Sequence, residues 1–94
     1  MNKYEIKYTT QFKKDYKLAL RRGRDIHLLE EVVRQLASGQ SLDLKYKDHA
    51  LTGKWSHFRE CHIQPDWLLI YHINQNVLVL TLSRTGTHSD LFQK

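Results

Sequence analysis

The hydrophobic positions at the start of the chain alternate with polar ones and then change to a helical spacing. Tyr4, Ile6 and Tyr8 lie on one face of an extended segment, which predicts a half-buried strand over residues 4–9. A helix follows, with Thr9 or Thr10 as its N-cap. Its apolar stripe is formed by four residues, Phe12, Tyr16, Ala19 and Leu20.

A second helix is predicted after a short link. Gly23 stands where a left-handed C-terminal cap ends the first helix, and Asp25 caps the second helix, which ends at Ser38-Gly39. The apolar residues of this second helix recur at three- and four-residue steps as Ile26, Leu29, Val33 and Leu36. Because the link is so short, the two helices are expected to form an antiparallel hairpin.

After a polar connection from Gln40 to about Gly53, the spacing changes to a period of two. Three strands are predicted over Lys54–Ile63, Trp67–Ile73 and Val77–Ser83, joined by turns at residues 64–66 and 74–76. The fold class is therefore α+β: a strand, two helices and an antiparallel three-strand meander, with the helix hairpin on one face of the sheet.

The apolar pattern also orients these strands. Residues 67–71 are apolar on both faces, which predicts that they form the central strand. In the last strand, the side chains expected to face the helix hairpin are Leu78, Leu80 and Leu82, and those expected on the other face are Val79, Thr81 and Ser83. If Cys61 and Ile63 face the helices, Glu60 and His62 face outward.

Composition adds a preference for a polyanionic partner. The 94 residues are expected to form one domain, residues 1–94, and 15 Lys and Arg against 10 Asp and Glu give a net charge of +5. The single Cys61 excludes an internal disulfide and a cysteine-rich zinc site, as expected for the reducing cytoplasm. No segment has the apolar run of a signal peptide or a membrane span.

Several polar residues could converge on the face away from the helices. They are His49, Glu60, His62, Asp66, Arg84 and His88. Metal-free RNA cleavage needs a base for the 2′-hydroxyl proton, an acid for the departing 5′-oxygen and a cation for the charge on phosphorus. Imidazole suits the first two tasks because it titrates near neutrality, and guanidinium suits the third.

The residues alone leave other interpretations open. Surface histidines and ion pairs are commonly without function, and the aromatic residues Trp55, Phe58, Trp67 and Phe92 are more often core than base platforms. The basic residues of the first helix are by default a solvated face. A metal-dependent nuclease built on the histidines, although no HExxH-type ligand pair is present, and a non-catalytic nucleic-acid-binding module are both alternatives.

Three ordered segments resemble a known family. Residues 46–55 (YKDHALTGKW), 59–71 (RECHIQPDWLLIY) and 84–92 (RTGTHSDLF) closely resemble the YafQ branch of the RelE toxin superfamily. The resemblance implies a RelE-like microbial RNase fold and a ribosome-dependent mRNA interferase that leaves a 2′,3′-cyclic phosphate and a 5′-hydroxyl. It also implies a cognate antitoxin, in a hetero-oligomer that could bind operator DNA, and no cofactor, metal or membrane.

The same resemblance implies roles for individual residues. The acid–base positions fall on His49, His62, Asp66 and His88, and the phosphate-stabilising position falls on Arg84. Substrate-binding positions fall on Glu60, Trp67 and Phe92, and Glu60 stands where a shorter acid can also occur. His88 is expected to be the general acid, with His62 or His49 as base and Asp66 orienting or sharing that role. The residues expected to contact ribosomal RNA are Lys13, Lys14, Lys17, Arg21 and Arg22.

Overall fold

The computed structural model describes residues 2–92. In chain order its helices and strands are β1 Glu5–Tyr8, α1 Thr10–Arg21, α2 Ile26–Ala37, β2 His49–Ala50, β3 Arg59–Gln64, β4 Trp67–Asn74, β5 Val79–Gly86 and α3 His88–Phe92. None of the helices in this range is long and apolar enough to cross a membrane.

The strands form one sheet in the order β1-β5-β4-β3-β2. The antiparallel meander of β3, β4 and β5 is confirmed, and β4 is its central strand. β1 pairs in parallel with β5, so the first and last strands are neighbours and the two long helices form the crossover between β1 and the meander. The predicted α+β class, with the helix hairpin on one face, is confirmed.

Local capping explains why the helices begin and end where they do. The Thr9 side chain accepts a hydrogen bond from the Phe12 N–H, and the Asp25 side chain accepts one from the His27 N–H, so both helices have the N-caps that their sequences predict. Gly23 adopts φ +75° between them. This left-handed conformation turns the chain sharply and is readily adopted by glycine.

The central strand is buried on both faces because each face of the sheet has its own cluster. The larger cluster lies under the helix hairpin and includes Leu29, Leu36, Leu69, Tyr71 and Leu82. The smaller one lies on the opposite face, called the outer face below, and consists of Leu68, Ile70 and Leu91 with Leu51, Trp55, Phe58 and Phe92 against it. The outer face is thus partly covered by the C-terminal helix.

The segment before the meander differs from the prediction. The connection expected over residues 40–53 contains a 3-10 turn at Leu44–Tyr46 and the two-residue strand β2. The strand expected from Lys54 begins only at Arg59, because Gly53–Trp55 forms a second 3-10 turn. His57 then adopts φ 77°, which interrupts the extended chain.

The last strand is displaced toward the C-terminus. Leu78 lies before β5 with φ 55° and is 43% exposed, so the prediction that it packs on the helices is wrong. Tyr71 pairs with Leu82, but the preceding Ile70 pairs with Arg84, which leaves Ser83 as an extra residue in a β-bulge. The bulge reverses the alternation and moves Arg84 to the outer face.

Candidate active site

A row of polar side chains crosses the outer face of the sheet. His49 of β2 pairs with Glu60 of β3, Glu60 pairs with Ile70 of β4, and Ile70 pairs with Arg84 of β5. Directly paired residues of antiparallel strands share a face. The outward orientation predicted for Glu60 from strand alternation is therefore found, and His62 lies two residues further along the same face.

Glu60 is a buried carboxylate between two imidazoles. Its side chain is only 6% exposed, and Oε1 lies 3.2 Å from Nε2 of His62 and 3.7 Å from Nε2 of His49. Nδ1 of His49 lies 2.7 Å from the Lys47 carbonyl oxygen, which can only accept, so Nδ1 carries a proton. A carboxylate this deeply buried requires such partners, and its burial leaves little of the Glu60 side chain open to a substrate.

His88 is oriented by a carboxylate of its own. Its Nδ1 lies 2.7 Å from Asp66 Oδ1, and its backbone N–H donates to the same oxygen at 3.0 Å. The backbone hydrogen bond from His88 and then its side-chain bond lower the pKa of Asp66. Asp66 is therefore an ionised acceptor that fixes the imidazole and leaves Nε2 available. The His88 and His62 rings lie 5.7 Å apart between centroids, near edge-on.

The short helix α3 holds His88 in place. Thr87 and Asp90 form a reciprocal cap, in which Thr87 Oγ1 accepts from the Asp90 N–H and Asp90 Oδ2 accepts from the Thr87 N–H. Nη1 of Arg22 lies 2.7 Å from the same Asp90 oxygen. A Cβ atom at Gly86 would approach Asp90 Oδ2 to 2.9 Å, so only glycine leaves room for this arrangement.

Arg84 is held by a residue that the sequence analysis did not select, Asp15 of α1. Arg84 Nε and Nη2 lie 2.8 and 3.3 Å from the two Asp15 oxygens, and Asp15 also accepts from the Thr85 N–H at 3.1 Å. β1 ends opposite Leu82, so Asp15 occupies the edge of β5 that β1 leaves open. These two bonds to Asp15 use two of the five guanidinium N–H donors.

Comparison with known proteins identifies the family. The family model described as "Bacterial toxin of type II toxin-antitoxin system, YafQ" matches residues 4–93. The chain belongs to this family. The mRNA interferase toxin YafQ of Escherichia coli K12 is 40% identical over 89 residues, which cover 94% of this chain and 95% of that protein.

Solved structures of relatives agree in fold. YafQ in the E. coli DinJ–YafQ toxin–antitoxin complex has a TM-score of 0.88 and 40% identity, covering 96% of this chain and 98% of that one. A metal-bound toxin from Helicobacter pylori has a TM-score of 0.89 and 46% identity, covering 95% of this chain and 99% of that one. The likeness extends over nearly the whole YafQ-family domain.

The two aromatic residues expected to bind substrate lie in different environments in this YafQ-family chain. Trp67 is fully buried on the helix side, where Nε1 donates to Thr85 Oγ1 at 3.0 Å and the Arg24 guanidinium lies 5.2 Å from the ring centroid. This places Trp67 in the core and corrects its expected position at the site. Phe92 lies on the outer face beside Trp55, with ring centroids 6.4 Å apart.

The basic face of α1 is exposed beside an apolar groove. Lys13, Lys14, Lys17 and Arg21 are exposed, whereas the guanidinium of Arg22 is engaged by Asp90. Lys13 and Lys17 border a groove of about 780 Å³ lined by apolar residues of β1, α1 and α2. Tyr8 and Leu20, which line this groove, are 51% and 49% exposed.

The Arg22–Asp90 pair generates a pH prediction for α3. The hydrogen bond from Arg22 lowers the pKa of Asp90 to about 2, whereas the pKa of an Asp in an unfolded chain is about 4. A lowered pKa stabilises the folded form above the unfolded value, and this contribution is lost as the pH falls from about 4 to about 2. Amide exchange of residues 88–92 should accelerate relative to the sheet in that range. In Asp90→Asn it should be faster already at pH 6, and an unchanged rate there would contradict the anchoring role.

Proposed function

We propose that this protein is a ribosome-dependent endoribonuclease that cleaves translated mRNA in the cytoplasm by metal-independent acid–base catalysis. The observation that carries the proposal is the pair of facing imidazoles, His62 and His88, each held by its own carboxylate. The 40% identical E. coli relative, an mRNA interferase toxin, supports the substrate class.

The two imidazoles suit the two proton transfers. The base removes the proton from the 2′-hydroxyl as its oxygen attacks phosphorus, and the acid gives a proton to the 5′-oxygen as the P–O bond breaks. The products are a 2′,3′-cyclic phosphate and a 5′-hydroxyl. We assign His88 as the acid, since Asp66 holds Nδ1 and leaves Nε2 to carry the transferred proton. His62 is the better placed base because its ring centroid lies 5.7 Å from that of His88, whereas the ring contact of His49 is with His62, at 6.3 Å between centroids.

Arg84 supplies the positive charge for the transition state. The Arg84 side chain is one-quarter exposed. Arg84 and Glu60 both pair with Ile70 of β4, so their backbones are two strand spacings, or about 10 Å, apart on the outer face. Asp15 fixes the guanidinium, so its remaining N–H groups are preorganised toward the phosphate instead of being ordered during the reaction. Phe92, on the same face, is the candidate for stacking on a base.

The exposed basic face of α1 gives the ribosome a place to bind. Its lysines and Arg21 carry positive charge at the surface and can contact ribosomal RNA phosphates, which contribute affinity without base specificity. Arg22 serves this purpose less directly because Asp90 already holds it. Charge reversal at Lys13 and Lys14 should therefore weaken ribosome binding more than the loss of Arg22 alone.

The partner that silences the toxin is a cognate antitoxin. The E. coli relative is present with DinJ in a toxin–antitoxin complex. In this chain the groove between β1, α1 and α2 offers apolar surface bordered by Lys13 and Lys17. An antitoxin segment with apolar anchors and acidic neighbours suits that surface, since burial supplies affinity and opposite charge supplies specificity.

The proposed function is tested with purified protein and a defined message. We expect cleavage within codons when the message is being translated, little cleavage of the same message without ribosomes, and full activity in a chelator selective for transition metals, which leaves the Mg²⁺ that ribosomes need. Products should carry a 2′,3′-cyclic phosphate and a 5′-hydroxyl, detected by end-specific labelling. Equal cleavage of free and translated RNA would refute ribosome dependence, and a loss of activity in this chelator would refute independence of a transition metal.

His88 should be the most costly residue to lose. His88→Ala and His88→Gln should lower the cleavage rate by about a hundredfold to ten-thousandfold, because an amide cannot transfer a proton. Both variants should bind ribosomes normally. On a substrate with a sulfur leaving group, which needs no protonation, the defect should largely disappear. An equal defect on both substrates would assign His88 a role other than general acid.

Asp15 should act through Arg84. Asp15→Asn keeps the size of the side chain but weakens the bidentate pair, so the rate should fall while ribosome affinity stays unchanged. In a double-mutant cycle, adding Asp15→Asn to Arg84→Ala should cost little further, since residues that act as one unit are not additive. Fully additive losses would show that Asp15 affects activity by a route that does not involve Arg84.

A further inference from the structure

One arginine beside the proposed active site is not among the residues assigned to the reaction. Arg24 lies in the link between α1 and α2 and is partly exposed. Two residues earlier in this link, Nη1 of Arg22 lies 2.7 Å from Oδ2 of Asp90. Asp90 is in α3, the short helix that begins at His88. The link therefore lies against the element that carries the proposed general acid.

The guanidinium of Arg24 is placed by an aromatic ring. It lies 5.2 Å from the centroid of the Trp67 ring, which is fully buried and whose Nε1 donates to Oγ1 of Thr85 at 3.0 Å. Trp67 follows Asp66 in the chain. The hydrogen bonds from His88 are the main cause of the lowered pKa of Asp66, and the charge of Arg24 adds to the same shift. Arg24 therefore lies on the side of the site where Asp66 holds His88.

The environment of Arg24 leaves its charge available to an anion. Arg22 and Arg84 each have a carboxylate oxygen within 2.8 Å, whereas Arg24 lies against a ring. An aromatic ring attracts a cation without neutralising it. The guanidinium fork matches the oxygens of a phosphate group, which RNA carries at every linkage.

We propose that Arg24 binds the RNA phosphate that follows the leaving nucleotide, called the downstream phosphate below. This inference rests on the proposed nuclease function, in which His88 protonates the 5′-oxygen of that nucleotide. The nucleotide on the 3′ side of the cut then lies beside His88, and its own 3′-phosphate is the next charge along the strand. Arg24, on the Asp66 side of His88, is placed to receive that phosphate.

The same contact gives Trp67 a part in the site without contact to RNA. Trp67 was expected to bind substrate, yet its ring is fully buried. Because the ring fixes the Arg24 guanidinium, the donors for the phosphate need little ordering when the RNA arrives. Trp67 is therefore a positioning residue that acts through Arg24.

A neutral linkage in the message tests the contact. Ribosomes are programmed with a message that carries a methylphosphonate, which has no charge, in place of the downstream phosphate. The wild type should lose about 10- to 100-fold in kcat/KM on this message, the usual effect of losing a hydrogen bond to a charged group. Arg24→Gln should be slower by a similar factor on the normal message. It should lose little more on the neutral one, because the contact is already absent.

KM and kcat separate this contact from the proton transfers. A contact remote from the breaking bond holds substrate and transition state alike, so Arg24→Gln should raise KM and change kcat little. His88→Ala should instead lower kcat. Trp67→Phe should reduce the effect of the neutral linkage, which a purely structural loss would leave at its wild-type size. An undiminished linkage effect in folded Trp67→Phe would overturn the positioning role.

Two controls match the change in charge. Arg34→Gln removes an exposed arginine of α2 that pairs with Glu31, and the linkage effect should keep its wild-type size in this variant. A methylphosphonate one position further downstream should slow the wild type and Arg24→Gln equally. Circular dichroism checks that each variant is folded.

Equal losses in the wild type and Arg24→Gln on the neutral message would overturn the phosphate contact, as would a wild type that cleaves both messages equally well. Either result together with weaker ribosome binding by Arg24→Gln would place this arginine on ribosomal RNA instead. A wild type that cleaves neither message would refute the proposed function, and the downstream phosphate site with it.

Discussion

A carboxylate that is removed from water must have cations or hydrogen-bond donors beside it. Two buried carboxylates, at opposite ends of the site, are subject to this constraint. Asp15 is 8% exposed and Glu60 is 5% exposed. Asp15 is stabilised by Arg84 and by the Thr85 N–H, and Glu60 lies against His62. The loss of either carboxylate would therefore release the side chain of Arg84 or His62 as well as a polar contact. Fold stability and site geometry are coupled through these two groups.

The parts of the fold that depend on local chemistry were predictable. The caps at Thr9 and Asp25 and the doubly buried strand β4 follow from residue type and period. The bulge at Ser83 does not follow from residue type or period. An extra residue can be recognised only by its pairing with the partner strand, and the residue types of Ile70 and Tyr71 do not indicate it. β2 is likewise too short, at two residues, to produce a detectable period.

The candidate site likewise has a part that the sequence predicted and a part that it did not. Strand alternation placed Glu60 and His62 on the outer face because β3 is regular there. Alternation could not place Trp67, since its strand is apolar on both faces, and its burial on the helix side follows from tertiary contacts. Asp15 was overlooked among the lysines of α1. It is the single acid of that helix and is buried with Phe12 and Ala19, three and four residues away. The position of an acid on the apolar stripe of the helix was the feature of the sequence that could have identified it.

Which ring nitrogen of His88 carries a proton depends on one carboxylate, Asp66. By accepting from Nδ1 of His88, Asp66 fixes the tautomer and increases the electron density at Nε2. Nε2 is then the nitrogen left for the proton transfer proposed for His88. Replacing Asp66 by an amide would allow either tautomer, because an amide both donates and accepts hydrogen bonds. The proposed proton transfer therefore depends on a carboxylate that need not contact the substrate.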